Sequence, residues 1–92
     1  MRREVMMERA PQGWSRELKN EVYVLTRTFQ FDDFTQAMAF ASRVGEAADA
    51  ADHHPEIIVS WGRVRVDWWS HDIKDVTARD ISLAETTTRL YS

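Results

Sequence analysis

The sequence predicts an α+β domain with a four-stranded antiparallel sheet and helices packed on one face. Four segments alternate in the period of two that is typical of strands, and two segments repeat apolar residues at helical spacing. Their order is β-β-α-β-β-α, which favours an antiparallel sheet covered on one side. With 92 residues and 43% hydrophobic side chains, we expect a single domain over residues 1–92.

The first half of the chain is predicted to form a hairpin. Residues 1–10 are short and charged, so only about one helical turn with a frayed end is expected before Pro11. Residues 14–18 are interpreted as a short strand, and residues 21–31 as a second strand rich in β-branched and aromatic types. The period of two places one set of side chains of the second strand on the core: Tyr23, Leu25, Phe29 and Phe31.

A helix is predicted over residues 34–51. Asp33 and Gln36 have the spacing of an N-cap and its capping-box partner. Apolar and small side chains form one stripe along this helix, and the stripe leads towards His53: Phe34, Ala37, Met38, Ala41, Val44, Gly45 and Ala48.

The second half repeats the order of hairpin and helix. Residues 57–61 and 64–68 alternate as two antiparallel strands, and Gly62 is expected to supply the positive φ of the turn between them. Thr77 and Asp80 have the spacing of a capping box, which predicts a closing helix that runs to about Leu90.

Charge and composition restrict the classes of function. The net charge is −3 and the 12 Lys and Arg are spread along the chain, so direct binding of nucleic acid is not expected. Without cysteine there is no disulfide framework and no thiolate metal site. No segment resembles a signal peptide or a membrane span, so we expect a soluble, cytoplasmic protein that makes no membrane contact.

All three histidines fall in one window, as His53-His54-Pro55 and His71. Imidazole gives and takes protons near neutral pH, so three converging rings would suit proton transfer or metal binding. Neighbouring residues of extended chain point in opposite directions, which would place one ring of the pair in a cleft and the other at its rim. The alternative is that the His-His-Pro turn only caps the helix C-terminus, where the dipole favours a cation.

The other candidate residues also have structural alternatives. Metal binding is the less favoured use of the histidines, since adjacent residues rarely ligate one ion and no pair has i, i+4 spacing. Asp80 would serve as the capping partner of Thr77, and Asp49 as a solvated helix edge. Tryptophans are mostly core or interface residues, and the sharper alternative is that they flank a flat heterocycle: Trp14, Trp61, Trp68 and Trp69.

This arrangement resembles the pterin-4a-carbinolamine dehydratase family. The similarity covers nearly the whole chain from Gly13-Trp14 onward, although the first helix of the family is usually longer than residues 1–10 allow. The family's spaced pattern of an acidic residue, His-His-Pro, an aromatic residue, a histidine and an aspartate is matched at Asp49, His53-His54-Pro55, Trp61, His71 and Asp80.

The resemblance implies dehydration of 4a-hydroxytetrahydropterin to quinonoid dihydropterin, in the recycling of tetrahydrobiopterin or a related pterin, with no metal and no organic cofactor. His54 and His71 would share the acid and base roles, and His53 would bind and orient the substrate. Supporting roles would fall to Asp49 and Pro55 in the His-His-Pro turn, to Asp80 beside an imidazole, and to Trp14 flanking the ring.

The resemblance also implies an alternative from another class, because members of the family serve as dimerisation cofactors of a homeodomain transcription factor. In that case the chain would be a protein-interaction module without catalysis. In both cases we expect a homodimer or homotetramer, with the strand around residues 61–69 pairing across a two-fold axis.

Overall fold

The computed structural model describes residues 10–91, and these fold in the predicted order. The elements are β1 (Ser15–Lys19), β2 (Val22–Gln30), α1 (Phe34–Ala51), β3 (Glu56–Ser60), β4 (Arg63–Trp68) and α2 (Ala78–Tyr91). The four strands form one antiparallel sheet in the order β1-β2-β4-β3. The α+β prediction is therefore confirmed. The helical turn predicted in residues 1–10 lies, except for Ala10, outside the described residues.

The two hairpins turn by different means. At the β1–β2 turn, Asn20 and Glu21 both have positive φ, 52° and 68°, which matches the twist of the flanking strands. The prediction for Gly62 is wrong, since Gly13 has the only positive φ among the glycines of the described chain. Space favours glycine at 62, because a Cβ would lie 3.1 Å from the carbonyl oxygen of Phe31, which is a tight contact.

Both helices pack on one face of the sheet. The core joins Leu25 and Phe29 of β2 to Val64, Val66 and Trp68 of β4 beneath the buried side of α1. The predicted stripe of α1 is partly wrong. Phe34 and Met38 are 48% and 43% exposed, whereas Phe40 is fully buried and lies 4.8 Å from the ring of Phe29.

One aromatic side chain of β2 also departs from the predicted core face. Tyr23 is 38% exposed, and its ring carries the guanidinium of Arg16 at 3.7 Å. The predicted pairing of the strand around residues 61–69 across a two-fold axis is wrong, because β4 lies between β2 and β3 and both of its edges are paired. The edge strand on that side of the sheet is β3. The expected homodimer or homotetramer stays a prediction, which the mass in sedimentation equilibrium would check. Among residues 10–91, neither helix has the length and hydrophobicity needed to cross a membrane.

The sheet face away from the helices contains a buried carboxylate. Asp67 is fully buried there, and it accepts hydrogen bonds from Lys19 (2.7 Å), from Arg65 (2.9 Å) and from the hydroxyl of Thr26. Burial alone would raise the pKa of Asp67, but the hydrogen bonds from Lys19, Thr26 and Arg65 outweigh it and hold the pKa below its ordinary 3.8. The ionised form therefore stabilises the fold.

Asp67→Asn is expected to lower the free energy of unfolding at pH 7 by about 1.5–3 kcal/mol, because charge-assisted hydrogen bonds are lost. Since the folded pKa lies below the unfolded one, the contribution of Asp67 is fully present above pH of about 4 and is lost as the pH falls through the folded pKa. Urea denaturation at pH 7 and pH 3 would measure this, with the exposed Asp32→Asn as control. Equal stability of the two variants at pH 7 would contradict the prediction.

Candidate active site

The histidine pair lies directly after the last turn of α1. Asp52 takes the left-handed conformation (φ 51°) and ends the helix, and the N–H of His53 donates to the carbonyl of Ala48 at 3.2 Å. Arg79 of α2 donates to the carbonyls of Ala51 (2.6 Å) and Asp52 (3.2 Å). This guanidinium supplies the cation that the last turn of α1 lacks, so α2 fixes where the His-His-Pro segment begins.

His53 is held inside the domain. Its side chain is 10% exposed, and its Nε2 lies 2.6 Å from Oδ1 of Asp80, whose side chain is fully buried. The imidazole lies parallel to the indole of Trp68, with ring centroids 6.0 Å apart. An ionised carboxylate can only accept, so His53 donates from Nε2 and a neutral ring keeps its lone pair on Nδ1.

The other oxygen of Asp80 performs the predicted capping role. Oδ2 accepts from the backbone N–H of Thr77 at 2.9 Å, from the hydroxyl of Ser70 at 2.8 Å and from the hydroxyl of Thr77 at 3.2 Å. The structural and the orienting alternatives for Asp80 are therefore both present, one on each oxygen. The start of α2 and the orientation of His53 depend on the same carboxylate.

His54 points towards the rim. Its side chain is 56% exposed, and its Nε2 lies 2.9 Å from Oδ1 of Asp49, which is 80% exposed. A pair this exposed contributes little to stability, but it orients the ring. Asp49 thus contacts the His-His-Pro turn through His54, and the proline at position 55 favours extended backbone at His54.

His71 is carried on a tight loop after β4. The N–H of Ser70 donates to the carbonyl of Asp75 at 2.9 Å, and the N–H of Lys74 donates back to Ser70 at 2.9 Å. Asp75 is in turn bound by both Nε and a terminal nitrogen of Arg16, at 3.1 Å and 2.9 Å. The exposed His71 therefore extends from a loop that is closed at its base and tied to β1.

An open cavity of about 510 Å³ lies between the His-His-Pro segment, the loop after β4 and the start of α2. The structure brings all three histidines to it, with Arg79 and polar residues that the sequence had not singled out as site residues. Its lining consists of Asp52, His53, His54, Ser70, His71, Asp72, Ile73, Thr77 and Arg79. In the described part of the chain no three His, Asp or Glu side chains are placed to share a metal ion.

The structure does not bring Trp14 to this cavity. Trp14 is 7% exposed, packs edge-on against Phe29 and donates from its indole to the hydroxyl of Thr88 at 2.9 Å. Thr88 lies nine residues beyond Arg79, which is about 13 Å along a helix. Trp14 thus has the core role that tryptophan usually takes.

Ser70, Thr77 and Arg79 line the cavity and were missed as site residues. In the structure, the hydroxyls of Ser70 and Thr77 both contact the carboxylate of Asp80. In the sequence, only Thr77 could be connected with Asp80, through the spacing of a capping box. Arg79 had no sequence signal, because its partners are backbone carbonyls 27 and 28 positions earlier.

The cavity combines groups that can exchange protons at neutral pH with fixed hydrogen-bond donors. Two imidazoles, His53 and His54, are oriented by carboxylates, and the third, His71, extends from a closed loop. A volume of about 510 Å³ is in the range of small-molecule sites. The arrangement suits general acid and base catalysis on a small polar substrate.

Comparison with known proteins is consistent with the geometry. The model of the family described as pterin 4 alpha carbinolamine dehydratase matches residues 2–90. A protein of Chlorobium luteolum is 39% identical over 88 residues, which are 96% of this chain and 76% of that protein. A protein of Chlorobium limicola is 48% identical over 67 residues, which are 73% of this chain and 59% of that protein. Both are named for pterin-4-alpha-carbinolamine dehydratase.

Two solved structures have the same fold. The transcriptional coactivator/pterin dehydratase from Brucella melitensis superposes with a TM-score of 0.80 at 30% identity, covering 97% of this chain and 93% of that one. A pterin dehydratase-like protein described as a RuBisCO assembly factor of the alpha-carboxysome gives 0.73 at 17% identity, covering 88% and 92%, and shares the fold alone. The family match over nearly the whole sequence and the close relatives agree: the chain belongs to the pterin 4 alpha carbinolamine dehydratase family.

Proposed function

We propose that this protein dehydrates a 4a-hydroxytetrahydropterin to quinonoid dihydropterin in the recycling of tetrahydrobiopterin or a related pterin. One observation carries the proposal: all three histidines of a member of this family line a single cavity. The largely buried His53 and the exposed His54 and His71 differ in their access to solvent, which suits a division between orienting the substrate and moving protons.

The reaction needs one proton removed and one delivered. A base takes the proton from N5 of the pterin, and the electron pair forms the N5=C4a double bond as the C4a–O bond breaks. An acid protonates the departing hydroxyl, which leaves as water. The substrate thus loses one proton and one hydroxide, and both transfers occur near neutral pH, where imidazole suits either role.

The contacts of the histidines support a division of these roles. His53 is nine-tenths buried and committed through Nε2 to Asp80, so we assign it to binding and orienting the hydroxyl or the ring. His54 and His71 reach solvent and would share the acid and base roles. Asp80 would keep His53 in one tautomer, Asp49 would orient His54, and Pro55 would keep the turn extended.

The direct test is stopped-flow absorbance of the decay of freshly generated 4a-hydroxytetrahydropterin. Wild type is expected to accelerate the decay in proportion to protein concentration. Free imidazole, at three times the protein concentration, is the matched control for unorganised general catalysis. Folded wild type that accelerates the decay no more than free imidazole would overturn the proposed function.

A protein-interaction role is the second candidate. The Brucella melitensis relative is titled both coactivator and pterin dehydratase. In this chain Phe34 and Met38 are exposed one turn apart near the start of α1, at the opposite end of that helix from the histidine pair. This alternative would replace the dehydratase if folded wild type has no activity in the stopped-flow measurement.

A further inference from the structure

His71 differs from the other two histidines in how its ring is oriented. His53 lies against Asp80, and His54 against Asp49. Among residues 10–91, the imidazole of His71 takes part in no hydrogen bond or ion pair, and its one described ring contact is with Trp69. The orientation of this ring must therefore come from the stack.

The stack is close and parallel. The ring centroids of Trp69 and His71 are 4.6 Å apart, and the planes differ by 4°. Ser70, between them, turns its hydroxyl inward to Asp80 at 2.8 Å. Trp69 and His71 are two positions apart, which lets their side chains lie side by side and stack.

Both partners of the stack are supported from outside it. Trp69 is half-buried on the sheet face opposite the helices, where it lines a depression together with Val22, Val24 and Lys19. The backbone that carries His71 is closed by the Ser70–Asp75 bridge. The indole is therefore a fixed surface, and His71 rests on it.

We infer that Trp69 is a positioning residue for His71; this inference rests on the proposed dehydration. Stacking engages the face of the imidazole, whereas the N–H and the lone pair lie in the ring plane. The indole fixes that plane while leaving Nδ1 and Nε2 free to exchange protons with substrate and solvent. An indole face also attracts an imidazolium, so the ring is held in both protonation states. A carboxylate partner would commit one nitrogen.

NMR of the imidazole ring protons tests the stack directly. The His71 signals, assigned by their loss in His71→Gln, are expected to be shifted upfield by the ring current of Trp69 in wild type. The shift should disappear in Trp69→Leu and persist in large part in Trp69→Phe, which keeps an aromatic face. Unshifted His71 signals in wild type would overturn the inference without any variant at Trp69.

Kinetics test the positioning role. Trp69→Leu is expected to lower kcat about 5- to 10-fold with little change in KM, and Trp69→Phe to recover most of the loss. Phe34→Leu is the matched control. Phe34 is 48% exposed at the first turn of α1, and the 18 residues of that helix, about 27 Å, separate it from the histidine pair.

The outcomes separate the inference from the proposed function. An active wild type with equal kcat in Trp69→Leu and Phe34→Leu would overturn the positioning role alone. A folded wild type without activity would overturn the proposed dehydration together with the role that rests on it. Circular dichroism of each variant confirms that a kinetic loss is not a loss of fold.

Discussion

His54→Ala and His71→Ala are each expected to lower kcat by about 100-fold or more, because each removes a general acid or base from the cavity. Both histidines are exposed, so the free energy of unfolding should change by less than about 0.5 kcal/mol. Stopped-flow turnover and urea denaturation of the same preparations measure the two effects. A large loss of activity at constant stability would place the histidines in the chemistry.

Added imidazole and a distant substitution provide the controls. The cavity is open, so free imidazole should restore part of the turnover of His71→Ala if the lost group only moved protons. Glu46→Ala, on the exposed side of α1, should leave turnover unchanged. Near-normal activity in both histidine variants would sink the assignment of acid and base to His54 and His71.

The fold was predictable because two kinds of sequence signal agree along most of the chain. These signals are the spacing of the apolar residues and the capping and turn residues at the ends of the elements. The helix over residues 34–51 was predicted with its N-cap, and Asp33 does accept from the N–H of Gln36 at 2.8 Å. The sequence determined less well which large side chains of this helix are buried. Ala37, Ala41, Val44 and Ala48 fit a buried stripe that contains Phe34 and Met38, and they also fit one that contains Phe40. Packing against Phe29 selected Phe40 over Phe34.

The candidate site was predictable only in part. Local spacing, read with the family resemblance, brought the three histidines and Asp80 together, and all three rings do line one cavity. Contacts that join distant segments left no sequence signal. Arg79 binds the end of α1 through backbone carbonyls, which have no sequence identity. The alternating pattern of β4 gave no sign that Asp67 is buried, because its partners Lys19 and Thr26 come from other strands.

Asp80→Asn is expected to lower both stability and turnover, since one carboxylate holds two parts of the structure. The free energy of unfolding should fall by about 2–3 kcal/mol, because a fully buried acceptor of four hydrogen bonds loses its charge. Turnover should fall roughly 10- to 100-fold, because the amide no longer fixes the Nε2–H tautomer of His53. Urea denaturation and stopped-flow kinetics measure the two losses.

Thr77→Ala separates the two roles of Asp80. It removes the hydroxyl that bonds Oδ2 and leaves the contact of Oδ1 with His53, so stability should fall by about 1 kcal/mol while turnover falls far less than in Asp80→Asn. If Asp80 acted only through the start of α2, loss of turnover would follow loss of stability in both variants. If turnover falls in Asp80→Asn by much more than its loss of stability predicts, the carboxylate orients His53. Equal turnover in the two variants would contradict this and leave Asp80 as a helix cap alone.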